Sequence, residues 1–489
     1  MTEPETAHDL DVLVVGGGPS GLFAALSVTK AGLRAELLEK GGDLVSSLCP
    51  KVRFELARNV IREAERFRLQ CNHCTCLEGL GGAAFHFDTQ LGYARGLSRS
   101  KIELRGTSIE AFSGLERAVG SFDRASDLIR RVYDICFAYG LPPLPEGDSE
   151  SGVGAATSHF AHTDAAASYP VTVEIALTML QAMVDDLERH GTSVRCHTAV
   201  MNIEPGRRRR WRVTARNGKT DLLYEADAVV MAVGKSALPQ LRRLVEETGV
   251  RFRPARKVDI GVRLESLRED LEPVLGGCRN PKLLYLNARG EPVRTFCVCH
   301  GGRLMQYRLG DVVILDGQHC LEHPTSRTNF GIVTTVSIPE HEDGTDWALA
   351  FAGRVNAAAH GKTAVQRLGD FLGWSGDTGL PPDLRTTLID SEWCDLRAAL
   401  PAQLVADVAG MVERLNAVTP GSLAAYAIVA APVIEKIFPE LELSPEMESS
   451  APGLYFAGDC SSKFIGITYG AASGIAAGEA IAARAESFA

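Results

Sequence analysis

The stretch Asp11-Val-Leu-Val-Val-Gly16-Gly17-Gly18-Pro19-Ser20-Gly21-Leu22 constrains this chain more than any other. An apolar, β-branched run gives way to clustered glycines and then to residues that suit a helix start. Gly16, Gly18 and Gly21 fit the spacing G-x-G-x-x-G, and an acid, Glu39, follows the next apolar run. Together they predict strand, tight turn, helix, strand and ribose-binding carboxylate, the opening unit of a dinucleotide-binding fold. Asp11–Val15 reads as a strand buried on both faces. Gly16 permits the turn, Gly18 lets the backbone approach a pyrophosphate, and Gly21 lets the helix pack on the strand. Pro19 wastes no N–H in the first helical turn. The helix, expected over Pro19–Ala31, aims unpaired N–H groups and its positive dipole end at the phosphates. Gly32 stops it. Ala35–Leu38 is the second strand, and Glu39 accepts from both hydroxyls of an adenosine ribose.

At 489 residues the chain suggests two or three domains, and 45% hydrophobic residues support a large core. A net charge of −10 argues against a general nucleic-acid partner. Arg207–Arg210 and Arg130-Arg131 read as a basic turn or a solvated helix face. No apolar stretch reaches membrane length. Met1–Asp11 is acidic and polar, unlike a signal peptide. The expectation is a cytoplasmic protein whose 12 cysteines are mostly reduced thiols, metal ligands or redox groups.

No internal repeat is visible. Cys49–Gly96 reads as an elaborate loop with one helix, Arg53–Arg68. Helical periodicity runs from about Ile109 to Tyr139, until Pro142, Pro143 and Pro145 break it. Gly147–Gly154 reads as a linker or lid. A long amphipathic helix is expected over Val171–Arg189. Strands are expected at Val194–His197, Ala199–Glu204 and Trp211–Ala215, with a hairpin turn at Asn217-Gly218. Glu225–Lys235 reads as a buried strand ending in small residues, Ala232-Val-Gly234. Near the C-terminal end, Gly453–Cys460 delivers Asp459 at a strand end, and Gly470–Arg484 forms a small-residue helix.

This last unit separates a flavin dinucleotide from a nicotinamide one. A ribityl chain offers hydroxyls to Asp459, and an isoalloxazine carbonyl gains from a helix N-terminus. The expected cofactor is FAD, with NAD(P)H as a transient donor left open because no second G-x-G-x-x-G follows a later strand. The fold expected is α/β: a Rossmann-like FAD-binding domain (three-layer ββα) with an inserted α+β substrate domain. The cofactor domain falls in three pieces, 1–105, 168–240 and 418–489. A helical insertion or lid occupies 106–167 and the substrate domain 241–417.

On Gly16–Gly21 with Glu39, Ala232-Val-Gly234 and Ala457-Gly458-Asp459, the chain resembles the glutathione-reductase-like flavoprotein superfamily. It resembles more specifically the FAD-dependent dehydrogenases related to geranylgeranyl reductases. The supporting residues are Cys49-Pro50, Cys71-Asn-His-Cys74-Thr-Cys76, Gly81-Gly82-Ala83-Ala84-Phe85, Gly261-Val-Arg263-Leu-Glu265 and Thr295-Phe296-Cys297-Val-Cys299-His300-Gly301-Gly302. That branch tends to read Gly-Gly-Ala-Gly and then Phe-Ser-Asp-Gly-Lys. This chain has Gly81-Gly82-Ala83-Ala84-Phe85-His86-Phe87-Asp88-Thr89-Gln90, a departure where the loop would face the flavin. The positions expected to hold the cofactor are Gly16, Gly18, Pro19, Ser20 and Gly21 at the first turn, and Glu39 and Lys40 after the second strand. Gly81, Gly82 and Ala83 follow in the loop, then Val200, Ala232 and Gly234. Gly458, Asp459, Gly466, Ile467 and Thr468 complete the set.

Cys49, Cys71, Cys74 and Cys76 admit three readings: packing of a loop over the cofactor, zinc or iron–sulfur ligation, or redox dithiol chemistry. Cys297 and Cys299 share one face of an expected strand, where a disulfide would strain an extended backbone. His86, Cys299 and His300 are the catalytic candidates, and His319 is a further possible acid or base. Arg263 and Glu265 read either as a surface ion pair or as an arginine aimed at an anionic group. The reaction expected is hydride transfer between a small organic substrate and flavin N5. A flavin monooxygenase and an RNA-linked flavoprotein are the alternatives, and oligomeric state is unassigned.

Overall fold

The computed structural model describes residues 7–48, 77–85, 87–97, 100–104, 107–111, 113–144, 159–164, 167–275, 278–374, 386–388, 390–435, 439–463 and 465–486. The expected helix Arg53–Arg68, the linker Gly147–Gly154, and Cys49, Cys71, Cys74, Cys76 and His86 lie outside them.

The strand His8–Val15 sits at the centre of the first sheet. It pairs in parallel with Ala35–Leu38 on one side and Thr220–Met231 on the other. Ser193–Arg195 extends the parallel run beyond Ala35–Leu38, and Leu454–Phe456 extends it beyond the far end of Thr220–Met231. The near end of Thr220–Met231 instead carries an antiparallel ribbon of Trp211–Asn217 and Thr198–Pro205. Alternation along the central strand explains why it is apolar throughout. Val12 and Val14 pack with the helices Pro19–Lys30, Phe122–Ala138, Val173–Arg189 and Ile467–Glu486. Leu13 and Val15 face the opposite way, into a core shared with the second sheet. Both faces are covered, as a parallel sheet requires.

The second sheet has 8 strands, in the order Ser391–Trp393, Thr363–Arg367, Ile428–Ile434, Lys257–Leu267, Arg327–Ser337, Pro292–Cys299, Lys282–Leu286 and His162–Asp164. A hairpin, Arg303–Leu309 with Val312–Gln318, packs beside it. The architecture is the expected α/β class, a Rossmann-like parallel sheet joined to a second, mainly antiparallel unit. Among the described residues no helix is long and apolar enough to cross a membrane.

Several expectations shift. Ile109 lies in a strand, Thr107–Ala111, paired with Ser100–Leu104, and the helices begin only at Gly114 and Phe122. Ser113 and Ser121 cap them, which marks the starts that periodicity alone blurred. The second sheet also reaches past the expected limits of 241–417. Ile428–Ile434 pairs with Lys257–Leu267, and His162–Asp164 pairs with Lys282–Leu286. Ile428–Ile434, an apolar run buried throughout, carries no mark of the sheet it joins. Arg263 and Glu265 are fully buried and do not pair with each other. Glu265 accepts from the Thr387 N–H at 2.9 Å, whereas Arg263 turns to a separate polar cluster. The basic run is spent on carboxylates: Arg209 pairs with Asp9, Asp11 and Asp227, and its N–H and that of Arg208 donate to Glu225.

Candidate functional site

Four groups nominated by the sequence lie at the carboxyl ends of four neighbouring parallel strands. In spatial order they are Glu39 after Ala35–Leu38, Gly16–Gly18 after His8–Val15, Gly234 after Thr220–Met231, and Gly458-Asp459 after Leu454–Phe456. The crevice outside this edge is where open α/β sheets bind ligands. Backbone contacts lock the corners together. The Ala232 N–H donates to Val15 O at 2.8 Å, and the Ala457 N–H to Met231 O at 2.9 Å. The Gly458 N–H donates to Ser473 Oγ at 2.9 Å, which ties this corner to the C-terminal helix.

The glycines divide into two kinds. A Cβ on Gly16 would meet Ala232 O at 2.3 Å, and one on Gly21 would meet Gly16 O at 1.8 Å. Those two are required by protein packing. Gly234 and Gly466 have positive φ, 62° and 113°, and a Cβ on either would meet nothing within 4 Å. A Cβ on Gly18 would approach only the Gly82 Cα, at 3.7 Å. Space left by glycine at these three positions is of the kind an extended dinucleotide would need. The helix Pro19–Lys30 has Pro at its start and no side-chain cap, so its first-turn N–H groups suit a phosphate.

Glu39 is 6% exposed and already committed in part. One oxygen accepts from the Gly17 N–H at 2.7 Å; the other accepts from Gly41 and Gly79 at 2.7 and 2.9 Å. A carboxylate has about four acceptor sites, so about one is left for a ribose hydroxyl, where two were expected. The loop Gly79–Gly82 is thereby drawn onto the first turn, and the Gly81 N–H donates to Gly17 O at 2.8 Å. Within that loop Gly81 is buried, Gly82 half-buried and Ala83 exposed. Lys40 is exposed and pairs with Glu78 at 2.7 Å. Ser20 is buried beneath Gly458 and Gly470. Val200 is half-buried on Thr198–Pro205 and packs on the shared core. Gly466 is exposed, Ile467 half-buried and Thr468 buried, its hydroxyl donating to Gly92 O at 3.1 Å.

Past Gly234 the edge becomes ionic. Lys235 Nζ lies 3.4 Å from Glu435 Oε1, the side chains being 12% and 5% exposed. Burial alone would lower the lysine pKa, but Tyr307, Glu435, Asp459 and Asp316 outweigh it and hold the ammonium well above its usual value. Burial pushes Glu435 up to about 7, with the attraction of Lys235 offsetting only part of the penalty. Burial likewise raises Asp459, which Lys235 and the Gly466 N–H pull partly back. Arg263 answers Asp316 at 3.3 Å, which leaves the Lys235 ammonium between Glu435 and Asp459, both raised by burial.

Arg263 anchors the next cluster. Its guanidinium donates to Asn329 Oδ1 at 2.7 and 2.9 Å and to Cys297 O at 2.7 Å, and lies 3.3 Å from Asp316. A bulge between Phe296 and Cys299 interrupts the strand, with Cys297 at φ 41°, so the backbone here is not the extended one expected. The two sulfurs come within 3.7 Å, and Cys299 Sγ lies 3.9 Å from His319 Nε2. Burial pushes the Cys299 thiol up. His300 stands outside this cluster: its Nε2–H donates to Cys278 O at 3.0 Å, and burial lowers its pKa.

Lys235, Tyr307, Asp316 and Glu435 escaped the sequence reading. Two left a trace: Lys235 directly follows the strand-end glycine, and Glu435 is a single acid closing seven apolar or small residues. Tyr307 and Asp316 reach the site only through the hairpin.

Residues 11–48 match the family described as FAD binding domain. FAD is the cofactor of this fold. No curated protein matches the chain. Among solved structures it is similar to a geranylgeranyl bacteriochlorophyll reductase-like protein from Thermoplasma acidophilum, at 13% identity over 99% of this chain and 80% of that one, TM-score 0.40. It is similar to a flavoprotein/dehydrogenase from Cytophaga hutchinsonii, at 12% identity over 98% and 79%, TM-score 0.38. It is also similar to CmlS, a flavin-dependent halogenase, at 12% identity over 98% and 59%, TM-score 0.39.

Proposed function

We propose that this chain is an FAD-dependent oxidoreductase that moves hydride between a small organic substrate and flavin N5. It falls in the glutathione-reductase-like class, in the branch related to geranylgeranyl reductases. The observation that carries the reading is the order of groups along one sheet edge: Glu39, Gly16–Gly18, Gly234, Asp459. That order follows the sequence of parts in an adenine–ribose–pyrophosphate–ribityl–flavin molecule. Glu39 would take one ribose hydroxyl, the helix start at Pro19 and Ser20 the pyrophosphate, and Asp459 the ribityl hydroxyls. Gly466 and Ile467 would present a helix start to the ring. When bound, the flavin supplies the hydride chemistry.

The protein's own part is proton management beside it. Lys235 and Glu435 share a proton-carrying contact at 3.4 Å. A carboxyl pushed up to about 7 suits general acid–base work at neutral pH. The mainly antiparallel unit and its hairpin supply Glu435, Tyr307 and Asp316, and would cover the substrate. The reductant is the substrate, a transiently bound NAD(P)H or a protein donor, acting in the cytoplasm. The acidic balance and the fully paired Arg209 support a small-molecule partner over RNA.

Absorbance of the purified protein tests the first step: it is yellow, or becomes so on adding FAD. A colourless protein that takes up no FAD ends the proposal. Under anaerobic conditions the oxidised flavin band bleaches with the hydride donor, whether that is the substrate or NAD(P)H. Incorporation of oxygen from O2 into product would replace the hydride reading with the monooxygenase one.

A further inference from the structure

The cluster Cys297, Cys299 and His319 is not consumed by the proton network around Lys235. We propose that it is a zinc(II) site with two sulfur ligands, one imidazole ligand and an exchangeable fourth position that takes water or an oxygen of a small molecule. The three ligand atoms all lie within 4.8 Å of one another. Two sulfurs on one tetrahedral zinc, each with a bond of about 2.3 Å, stand roughly 3.8 Å apart; here they are 3.7 Å apart. Cys299 Sγ and His319 Nε2, at 3.9 Å, need to close by only a few tenths of an ångström.

The fold goes out of its way to build this arrangement. Residues two apart on a regular strand do not bring their sulfurs together; the bulge and the left-handed Cys297 do so. Such strained positions collect at functional sites. Space is cleared by glycine: a Cβ on Gly317 would meet Arg263 Nη2 at 2.1 Å and Cys299 Sγ at 2.7 Å, and one on Gly302 would meet Cys299 Cβ at 2.7 Å. Asn329, opposite Cys299 across the strands, keeps a buried Nδ2 without an acceptor.

The charges fit a dication. Arg263 and Asp316 balance each other at 3.3 Å. Two thiolates with a neutral imidazole then leave a charge of minus two for the metal to cancel. The Arg263 Nη2–H lies 3.7 Å from Cys299 Sγ, a donor to a coordinated sulfur. Cys297 is the half-buried member of the three, and Cys299 and His319 are buried. Ligands of types Cys, Cys and His with an open position form the pattern of catalytic zinc centres. The inference does not depend on the flavin reading.

The test is zinc alone. Reduced full-length protein is incubated anaerobically with zinc chloride, gel-filtered, and measured for metal content and zinc X-ray absorption. The expected result is two sulfur scatterers at about 2.3 Å with nitrogen or oxygen completing the shell. A variant lacking Cys49, Cys71, Cys74 and Cys76 retains one zinc per chain. Cys297→Ser/Cys299→Ser in that background lowers zinc affinity at least tenfold, and Cys394→Ser does not. In the variant lacking Cys49, Cys71, Cys74 and Cys76, a shell of four sulfurs or of none overturns the proposal. So does equal zinc in the folded double variant and its parent, or a Cys297–Cys299 disulfide that persists in the reduced, zinc-treated protein. If the double variant does not fold, the sulfur count in the shell of the variant lacking Cys49, Cys71, Cys74 and Cys76 decides alone.

Discussion

The first turn and the Lys235 network, a few residues apart in space, work by opposite means. Around Gly16–Gly21 the chemistry belongs to the backbone: N–H groups, a helix dipole, and side chains deleted so that main chains touch. Around Lys235, Glu435, Tyr307 and Asp316 it belongs to side chains, the first three held in a nearly dry place and Asp316 32% exposed at their edge. A turn made of backbone tolerates no added atom where main chains touch, at Gly16 and Gly21, yet is indifferent to pH. A network made of side chains tolerates isosteric change, yet responds to every proton.

Substitutions can press on that contrast. The largest effect is expected at Gly21→Ala, where the new methyl would sit 1.8 Å from Gly16 O. Overpacking and backbone displacement together cost about 3 kcal/mol or more, and the variant loses soluble expression or FAD retention, read by gel filtration and absorbance. An Ala at 21 that keeps full stability would show that the turn yields as easily as a side-chain network.

Glu435→Gln tests the other half. The folded carboxyl titrates at about 7 against an ordinary value of 4.5. The stability it contributes is therefore fully present below about 4.5 and is lost as pH rises through about 7. The difference is on the order of 3 kcal/mol. Urea unfolding at pH 4 and pH 8.5 should show the wild type losing that stability and Glu435→Gln holding level. In turnover the same variant loses a pH limb near 7. Equal pH slopes for both proteins would remove Glu435 from the network.

Glu39→Gln is intermediate. An amide nitrogen would face at least one of the three N–H donors that now share the carboxylate. Leaving such a buried donor unpaired costs about 2 kcal/mol, visible in thermal melts even without cofactor. The smallest stability effect is at Gly466→Ala. No atom lies within 4 Å, so only the φ of 113° opposes it, at about 1–2 kcal/mol. FAD affinity should fall out of proportion to that loss, which separates a ligand-facing glycine from a packing one.

The same contrast explains what was legible in the sequence. Backbone recognition leaves glycines at fixed local spacing, and strand, turn, helix and acid could be read within Asp11–Glu39. The strand end at Gly234 and the Gly458-Asp459 corner were readable for the same reason. The side-chain network draws Lys235, Tyr307, Asp316 and Glu435 from four separate elements, and no local period links them. Arg263 illustrates the limit: alternation placed it on a face with Glu265, but not the depth at which each found a different partner. The Cys297 bulge was hidden for a related reason, since the alternation rule assumes the regular strand that the bulge breaks.

One contact has a consequence in time. Ser20 and Ala24 lie against Gly474 and Gly478, close enough that a methyl on Gly474 would reach Ser20 O at 2.1 Å. The partners are separated by about 450 residues of chain. At about 5–20 residues per second of synthesis, the nascent dinucleotide turn waits on the order of half a minute or longer for the helix that braces it. A ribosome-bound chain stalled before residue 467 should therefore take up no FAD, although every residue of the glycine fingerprint has long since left the exit tunnel.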